Sequence, residues 1–183
     1  LYLLLTAVFV ILMLLPLFLD NYALGIFVMI FFWAYVGQSW NVLTGYTGHI
    51  SLGHALYVGI GAYATTFLAQ TFGLTPWVGM FLGGFIAVAI ALFLGFLGFR
   101  FGLRGVYFVI TTIAFAELAR LAVSHIEALG SFTGIFLDFN PSLYNFQFRG
   151  NIPYYYIALG FVVASLIAVR ILEVSKIGRF IVA

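Results

Sequence analysis

The chain carries no acidic or basic side chain between Asp20 and Arg100, a stretch of 79 residues. A helix that crosses a bilayer needs about 20 apolar residues, so this stretch has room for several crossings with uncharged connections. Charged residues make up 7% of the whole chain, whereas soluble domains contain about 25%. A soluble domain this poor in charge could not cover its surface, and disordered chains are polar. We therefore expect an all-α integral membrane protein.

The long apolar runs predict a polytopic helical bundle with about six spans. The runs are too long for core strands, and none alternates with period two over its whole length, which favours helices over a membrane barrel. The predicted spans cover roughly residues 1–19, 22–40, 50–71, 77–99, 104–125 and 153–172. We expect residues 1–183 to form a single transmembrane domain that is a fragment of a longer chain at both ends.

The basic residues predict the orientation of the spans. They concentrate between spans four and five and at the end of span six: Arg100, Arg104, Arg170, Lys176 and Arg179. The positive-inside rule makes both regions cytoplasmic. Counting backwards then places the N-terminus in the cytoplasm, and it makes 126–152 a periplasmic loop. Residues 173–183 would begin a cytoplasmic segment.

A polar, glycine-rich segment interrupts the uncharged stretch at residues 45–54. Its composition favours a break in the helix, which is tolerated at membrane depth only where protein or a water-filled cavity covers it. One hypothesis is that this turn lines a translocation path, with a half-helix N-terminus facing an anionic group. The alternative is a cytoplasmic loop in which Ser51 caps span three. His49 and His54 do not share a helix face, so no metal site is predicted.

Glu117 and Arg120 are charged residues well inside a predicted span. Standing at i and i+3, they can pair on one helix face. Intramembrane charges usually face the bundle interior or a cavity, so a role in transport is the first hypothesis. The alternative is a structural ion pair near the outer end of span five.

Several kinds of chemistry are absent from the sequence. Without cysteine, the chain has no disulfide, cysteine–zinc site or cysteine nucleophile. Its sole lysine, Lys176, is not part of a P-loop, so ATP-driven work would need a partner. A hydrolase built on Ser51 and His54 lacks a nearby residue to orient the base. We predict neither an enzyme nor a cofactor.

Three segments carry a resemblance to a known family. Residues 41–55 read NVLTGYTGHISLGHA and are followed by GIGAY at 59–63, while residues 104–117 read RGVYFVITTIAFAE. Residues 175–180 read SKIGRF. Together these segments resemble LivM-type permeases, the membrane subunits of branched-chain amino-acid ABC importers, over nearly all of 22–183.

The resemblance implies an importer subunit in the bacterial inner membrane. Its partners would be a second, LivH-like permease chain, two cytoplasmic ATP-binding subunits and a periplasmic solute-binding protein, besides membrane lipid and without nucleic acid. The sequence departs from the family at 129–136, where further glycines are usual, so the solute stays open. The alternative function is a stand-alone channel or secondary transporter for a small polar solute such as urea or a short amide.

Two sets of candidate residues follow from the polar segments and the resemblance. The set for the translocation path is Gly48, Ser51, Gly53, His54, Glu117 and Arg120. The set for docking of the ATPase is Lys176, Gly178, Arg179 and Phe180.

Overall fold

A computed structural model describes residues 2–46, 48, 50–103, 105–176 and 178, and helices dominate it. Within these ranges the long helices are six: α1 (Tyr2–Leu14), α2 (Asn21–Asn41), α3 (His54–Phe72), α4 (Pro76–Arg100), α5 (Val106–His125) and α6 (Ile152–Val174). Short 3-10 helices lie at Leu15–Leu17 and Glu127–Leu129, and a π-helix lies at Val42–Tyr46. Since no strand forms within the described ranges, the all-α prediction is confirmed.

Each long helix lies at one of the predicted spans. In the part of the chain that the structure describes, four helical stretches are long and apolar enough to cross a membrane: Asn21–Tyr46, Pro76–Arg100, Val106–His125 and Ile152–Val174. Helix α1 has 13 residues, too few for a crossing by itself. Helix α3 has 19 residues but is too polar to be counted with the four. The six predicted spans thus correspond to six helices, of which four have the character of a membrane crossing.

Local sequence explains where two of these helices begin. Asp20 is the N-cap of α2, and its carboxylate accepts a hydrogen bond from Ala23 N at 3.1 Å. Such a cap satisfies one of the backbone donors left free in the first turn. Pro76 stands in the first turn of α4, where its missing N–H costs nothing.

The chain divides into two compact units, and the first comprises Leu1–Val42 and Phe148–Ala183. Here α2 packs on α6 around a buried cluster of Leu24, Phe31, Tyr155 and Leu159. The Tyr155 ring meets Phe31 edge-on with centroids 5.1 Å apart, and its hydroxyl donates to Leu12 O at 2.7 Å. This unit therefore combines apolar packing with a satisfied phenol, as buried tyrosine requires.

The second unit, Leu43–Gln147, is built on the packing of α3 against α4. Gly79 and Gly83 are buried, and a Cβ on Gly83 would lie 2.8 Å from Gly61 O. The GxxxG spacing of this pair is typical of helices whose backbones approach closely in membranes. Thr65 joins the contact, since its hydroxyl donates to Gly61 O at 2.7 Å. Gly79 and Gly83 are therefore helix-packing residues.

Within the same unit, the segment after α5 is fastened to the turn between α3 and α4. Trp77 Nε1 donates to Leu143 O at 2.9 Å, and Thr75 Oγ1 donates to Tyr144 O at 2.5 Å. Gln70 Nε2 reaches Phe136 O at 2.5 Å. Carbonyl groups of an irregular segment are thereby satisfied by side chains near the ends of two helices.

Candidate functional site

The predicted break in the helix is present between α2 and α3. The chain leaves α2 through the π-helix Val42–Tyr46, and it is irregular at the described residues from Gly48 to Gly53. Gly48 has φ +67°, a left-handed conformation that glycine adopts without strain. Helix α3 then begins at His54, four residues later than the predicted span.

Ser51 does not cap this helix. The N-cap is Gly53, which has no side chain to accept a hydrogen bond, so the capping role predicted for Ser51 is wrong. Ser51 is buried, with 1% of its surface exposed, and its hydroxyl accepts from Gly53 N at 3.3 Å. This local hydrogen bond closes a turn just before the helix. The Ser51 hydroxyl therefore bonds the backbone of Gly53, the N-cap residue, and does not act as the cap itself.

Thr112, in the second turn of α5, fixes the position of the irregular segment. Its hydroxyl oxygen accepts from Leu52 N at 3.3 Å and donates to Val109 O at 2.8 Å. A Cβ on Gly53 would lie only 2.6 Å from Thr112 O, so the two backbones touch. Sequence reasoning missed Thr112. A hydroxyl within an apolar span, opposite a glycine-rich segment, was the available signal.

Next to the contact between Gly53 and Thr112, a cavity of about 470 Å³ lies between α3 and α5. Residues at helical spacing line it from α3 and the segment before it: Leu52, Ala55, Leu56, Gly59, Ile60 and Tyr63. From α5 and the residues after it come Ile113, Ala116, Glu117, Ala119, Arg120, Val123, Ser124, Ser131 and Phe132. The wall is mostly apolar or small, and its size falls in the range of about 300–1,000 Å³ usual for small-molecule sites.

Glu117 and Arg120 form an ion pair in the wall of this cavity. Arg120 Nη2 lies 2.5 Å from Glu117 Oε1, and Arg120 Nε donates to Glu117 Oε2 at 2.9 Å. Both side chains are more than half exposed in the chain alone. The two-point geometry orients a carboxylate and a guanidinium side by side. The pair predicted at i, i+3 is therefore present and accessible.

The structure brings only part of the predicted path set to the cavity. Glu117 and Arg120 line it, whereas Ser51 and Gly53 are buried at the contact with Thr112. His54 opens α3, and its ring meets Tyr57 edge-on at 5.9 Å, outside the cavity lining. One end of the cavity is thus lined by Leu52 of the polar segment and by Ala55 in the first turn of α3.

The predicted docking residues follow α6. Lys176 is exposed, and Gly178 is buried with its N–H donating to Ser175 Oγ at 3.0 Å. A Cβ on Gly178 would collide with Leu172 O. Arg179 and Phe180 lie outside the described residues, as do His49 and Arg104. Their predicted roles stay predictions.

Comparison with known proteins now gives these features a context. The family described as "Branched-chain amino acid transport system / permease component" matches residues 22–183. The high-affinity branched-chain amino acid transport system permease protein LivM of Salmonella typhimurium LT2 is 32% identical over 134 residues, which are 73% of this chain and 31% of that protein. LivM of Escherichia coli K12 is 34% identical over 114 residues, 62% of this chain and 26% of that protein.

The match extends over most of this chain and a smaller part of its relatives. The chain spans about a third or less of the length of the two LivM proteins. No solved structure matches it. The family match includes the polar segment before α3 and the Glu117–Arg120 pair. It also includes the four described stretches that are long and apolar enough to cross a membrane, except for Asn21, the first residue of α2. The chain is therefore a multi-pass membrane protein that belongs to the family of branched-chain amino acid transport permeases, of the LivM type.

Proposed function

We propose that the chain is part of a permease subunit of an ABC importer for branched-chain or related amino acids. A second, LivH-like permease chain would complete the translocation path, and two cytoplasmic ATP-binding subunits would drive it. A periplasmic binding protein would deliver the solute, and the assembly would lie in the bacterial inner membrane. The observation that carries the proposal is the ion pair in an apolar cavity between two helices of a permease-family chain.

Charges within membrane-crossing helices support a transport role for this cavity. A charged side chain at membrane depth is costly, and such residues usually face a cavity or a solute path. Glu117 and Arg120 belong to α5, one of the stretches with the composition of a crossing. Both face the cavity. Most of the other lining residues are apolar or small, so this pair is the charged part of the cavity wall.

The positive-inside orientation gives this cavity a direction. With the 100–104 region in the cytoplasm, α5 runs outwards, and so does α3. The contact between Gly53 and Thr112 would then close the cytoplasmic end of the cavity, while Phe132 would lie at the periplasmic end. A site closed at one end is the arrangement expected of one state of an alternating-access cycle.

The dependence of transport on partners tests this function. The natural full-length chain is reconstituted in liposomes with its permease partner and ATP-binding subunits, and the binding protein and radiolabelled leucine are added outside. We expect uptake only with ATP and an intact ATPase. Uptake of leucine, urea or a short amide by the full-length chain without any ATPase would favour the channel or secondary transporter.

Lys176 gives a test of the docking segment. Gly178 is a poor probe, because any bulky replacement would distort its buried turn whether or not the ATPase docks there. Lys176→Glu changes only an exposed charge, and we expect it to reduce co-purification of the ATP-binding subunits by about threefold or more. The matched control is Arg149→Glu, a charge reversal at an exposed position of the predicted periplasmic loop. Equal co-purification of both variants would remove Lys176 from the docking surface.

A further inference from the structure

The Glu117–Arg120 pair has a chemical asymmetry that suits one class of solute. We infer that the pair selects zwitterions: Glu117 takes the ammonium group of an α-amino acid, and Arg120 takes its carboxylate. This inference rests on the proposed function, because it treats the cavity as the solute path. It adds the residues that decide which solutes are accepted.

The geometry of the pair supplies both halves of the recognition. Within the chain each charge is satisfied by the other, through contacts of 2.5 and 2.9 Å. The side chains are more than half exposed, so each has room to turn from its partner to a solute. The guanidinium presents a planar fork that matches a carboxylate, and the Glu117 carboxylate accepts hydrogen bonds from an ammonium group.

The number of ion pairs that a solute can form with Glu117 and Arg120 favours a zwitterion over anions, cations and neutral solutes. A zwitterion replaces one internal ion pair with two new ones, so no charge is left alone in the apolar cavity. A keto acid would engage Arg120 and leave Glu117 unpaired, while an amine would do the reverse. Either solute would exchange the internal ion pair for one new pair, whereas a zwitterion gains two. A neutral amide offers neither side chain a charge, so it would leave the internal pair closed.

The remaining wall of the cavity fits an aliphatic side chain. Leu56, Ile60, Ile113 and Val123 give apolar surface on both helices, and Phe132 lies at one end. Small residues keep the space between them open: Ala55, Gly59, Ala116 and Ala119. Burial of apolar solute surface against such a wall contributes to affinity in proportion to the area covered. The solute expected from the two features together is an α-amino acid with a branched or otherwise apolar side chain.

Binding to the intact transporter tests this without the selectivity of the binding protein. The full-length permease pair with its ATPase is purified in detergent, and displacement of radiolabelled leucine is measured by scintillation proximity. The competitors are 4-methyl-2-oxopentanoate, leucinamide and isovaleramide, which lack the ammonium charge, the carboxylate charge and both. We expect each to displace leucine at least about tenfold less well than leucine itself. Equal competition by isovaleramide, or no leucine binding by a complex that transports it, would overturn the inference.

Variants assign the two roles. Glu117→Gln should remove most of the preference for leucine over the keto acid, and Arg120→Gln should remove the preference over leucinamide. The double exchange Glu117→Arg with Arg120→Glu keeps both charges and the pair, and it should retain binding of zwitterions better than either single variant. Thermal unfolding of each variant separates loss of binding from loss of fold.

The two levels of the proposal fail in different ways. Variants that keep full selectivity while uptake remains ATP-dependent would make the pair structural and leave the importer function standing. Uptake without any ATPase would reject the importer function whatever the variants do.

Discussion

Replacing Gly83 with alanine is expected to lower the melting temperature of the full-length chain in detergent by about 3 °C or more. The added Cβ would lie 2.8 Å from Gly61 O and 3.2 Å from Thr65 Oγ1, so backbone must move. Overpacking of this kind costs about 1–3 kcal/mol, and Gly83→Leu should cost more. Helices α3 and α4 would be pushed apart at their closest contact.

The neighbouring glycine is the matched control for this effect. Gly84 is exposed in the same helix, and no atom lies within 4 Å of the position its Cβ would take. Since alanine is a better helix former than glycine, Gly84→Ala should leave stability unchanged or raise it slightly. The two substitutions thus have opposite expected signs. Equal melting temperatures for both variants would show that the contact between α3 and α4 contributes little to stability.

Replacing Gly53 with alanine is expected to reduce ATP-dependent uptake by about tenfold or more, at a normal membrane level of protein. The added methyl group would meet the backbone of Thr112 and force the irregular segment away from α5. The end of the cavity formed by Leu52 and Ala55 would change shape. Uptake is measured in the reconstituted importer, and thermal unfolding reports the accompanying loss of stability.

Two further variants test whether this contact acts as proposed. Gly84→Ala adds the same methyl group at an exposed position outside the cavity lining and without a close neighbour, so uptake should change little. Thr112→Val keeps the volume of the side chain but removes the acceptor for Leu52 N–H, and we expect an intermediate loss. Thr112→Ser keeps the hydroxyl that accepts from Leu52 N, so its uptake should stay close to that of the unsubstituted protein. Normal uptake by Gly53→Ala would show that the contact is not part of the path.

The helices and the break between them could be predicted because the signals are local. Long apolar runs mark the six helices, and Pro76 marks a helix start. Glycines and hydroxyls around Gly48 mark the interruption. The i, i+3 spacing of Glu117 and Arg120 suffices for their pairing, since both lie on one helix.

The remaining features depend on neighbours that are distant in sequence. Thr112 contacts Leu52, which lies 60 positions earlier in the sequence, and no local sequence pattern around either residue predicts this contact. Gly83 and Gly84 are adjacent and chemically identical, and only the position of α3 makes one buried and the other exposed. Serine is a favoured N-cap residue, and the capping role predicted for Ser51 followed that preference. The helix begins at His54, however, so the N-cap position falls on Gly53, two residues after Ser51.

The first unit has a consequence for biosynthesis. Helices α2 and α6 pack together, yet about 110 residues lie between the end of one and the start of the other. At about 5–20 residues per second, a ribosome needs roughly 5–20 s to make that stretch. During this interval Leu24 and Phe31 lack their packing partners on α6, Tyr155 and Leu159. Because lipid tails can cover these apolar side chains, α2 can stay in the bilayer until α6 has been made, and the first unit then forms by helix association within the membrane.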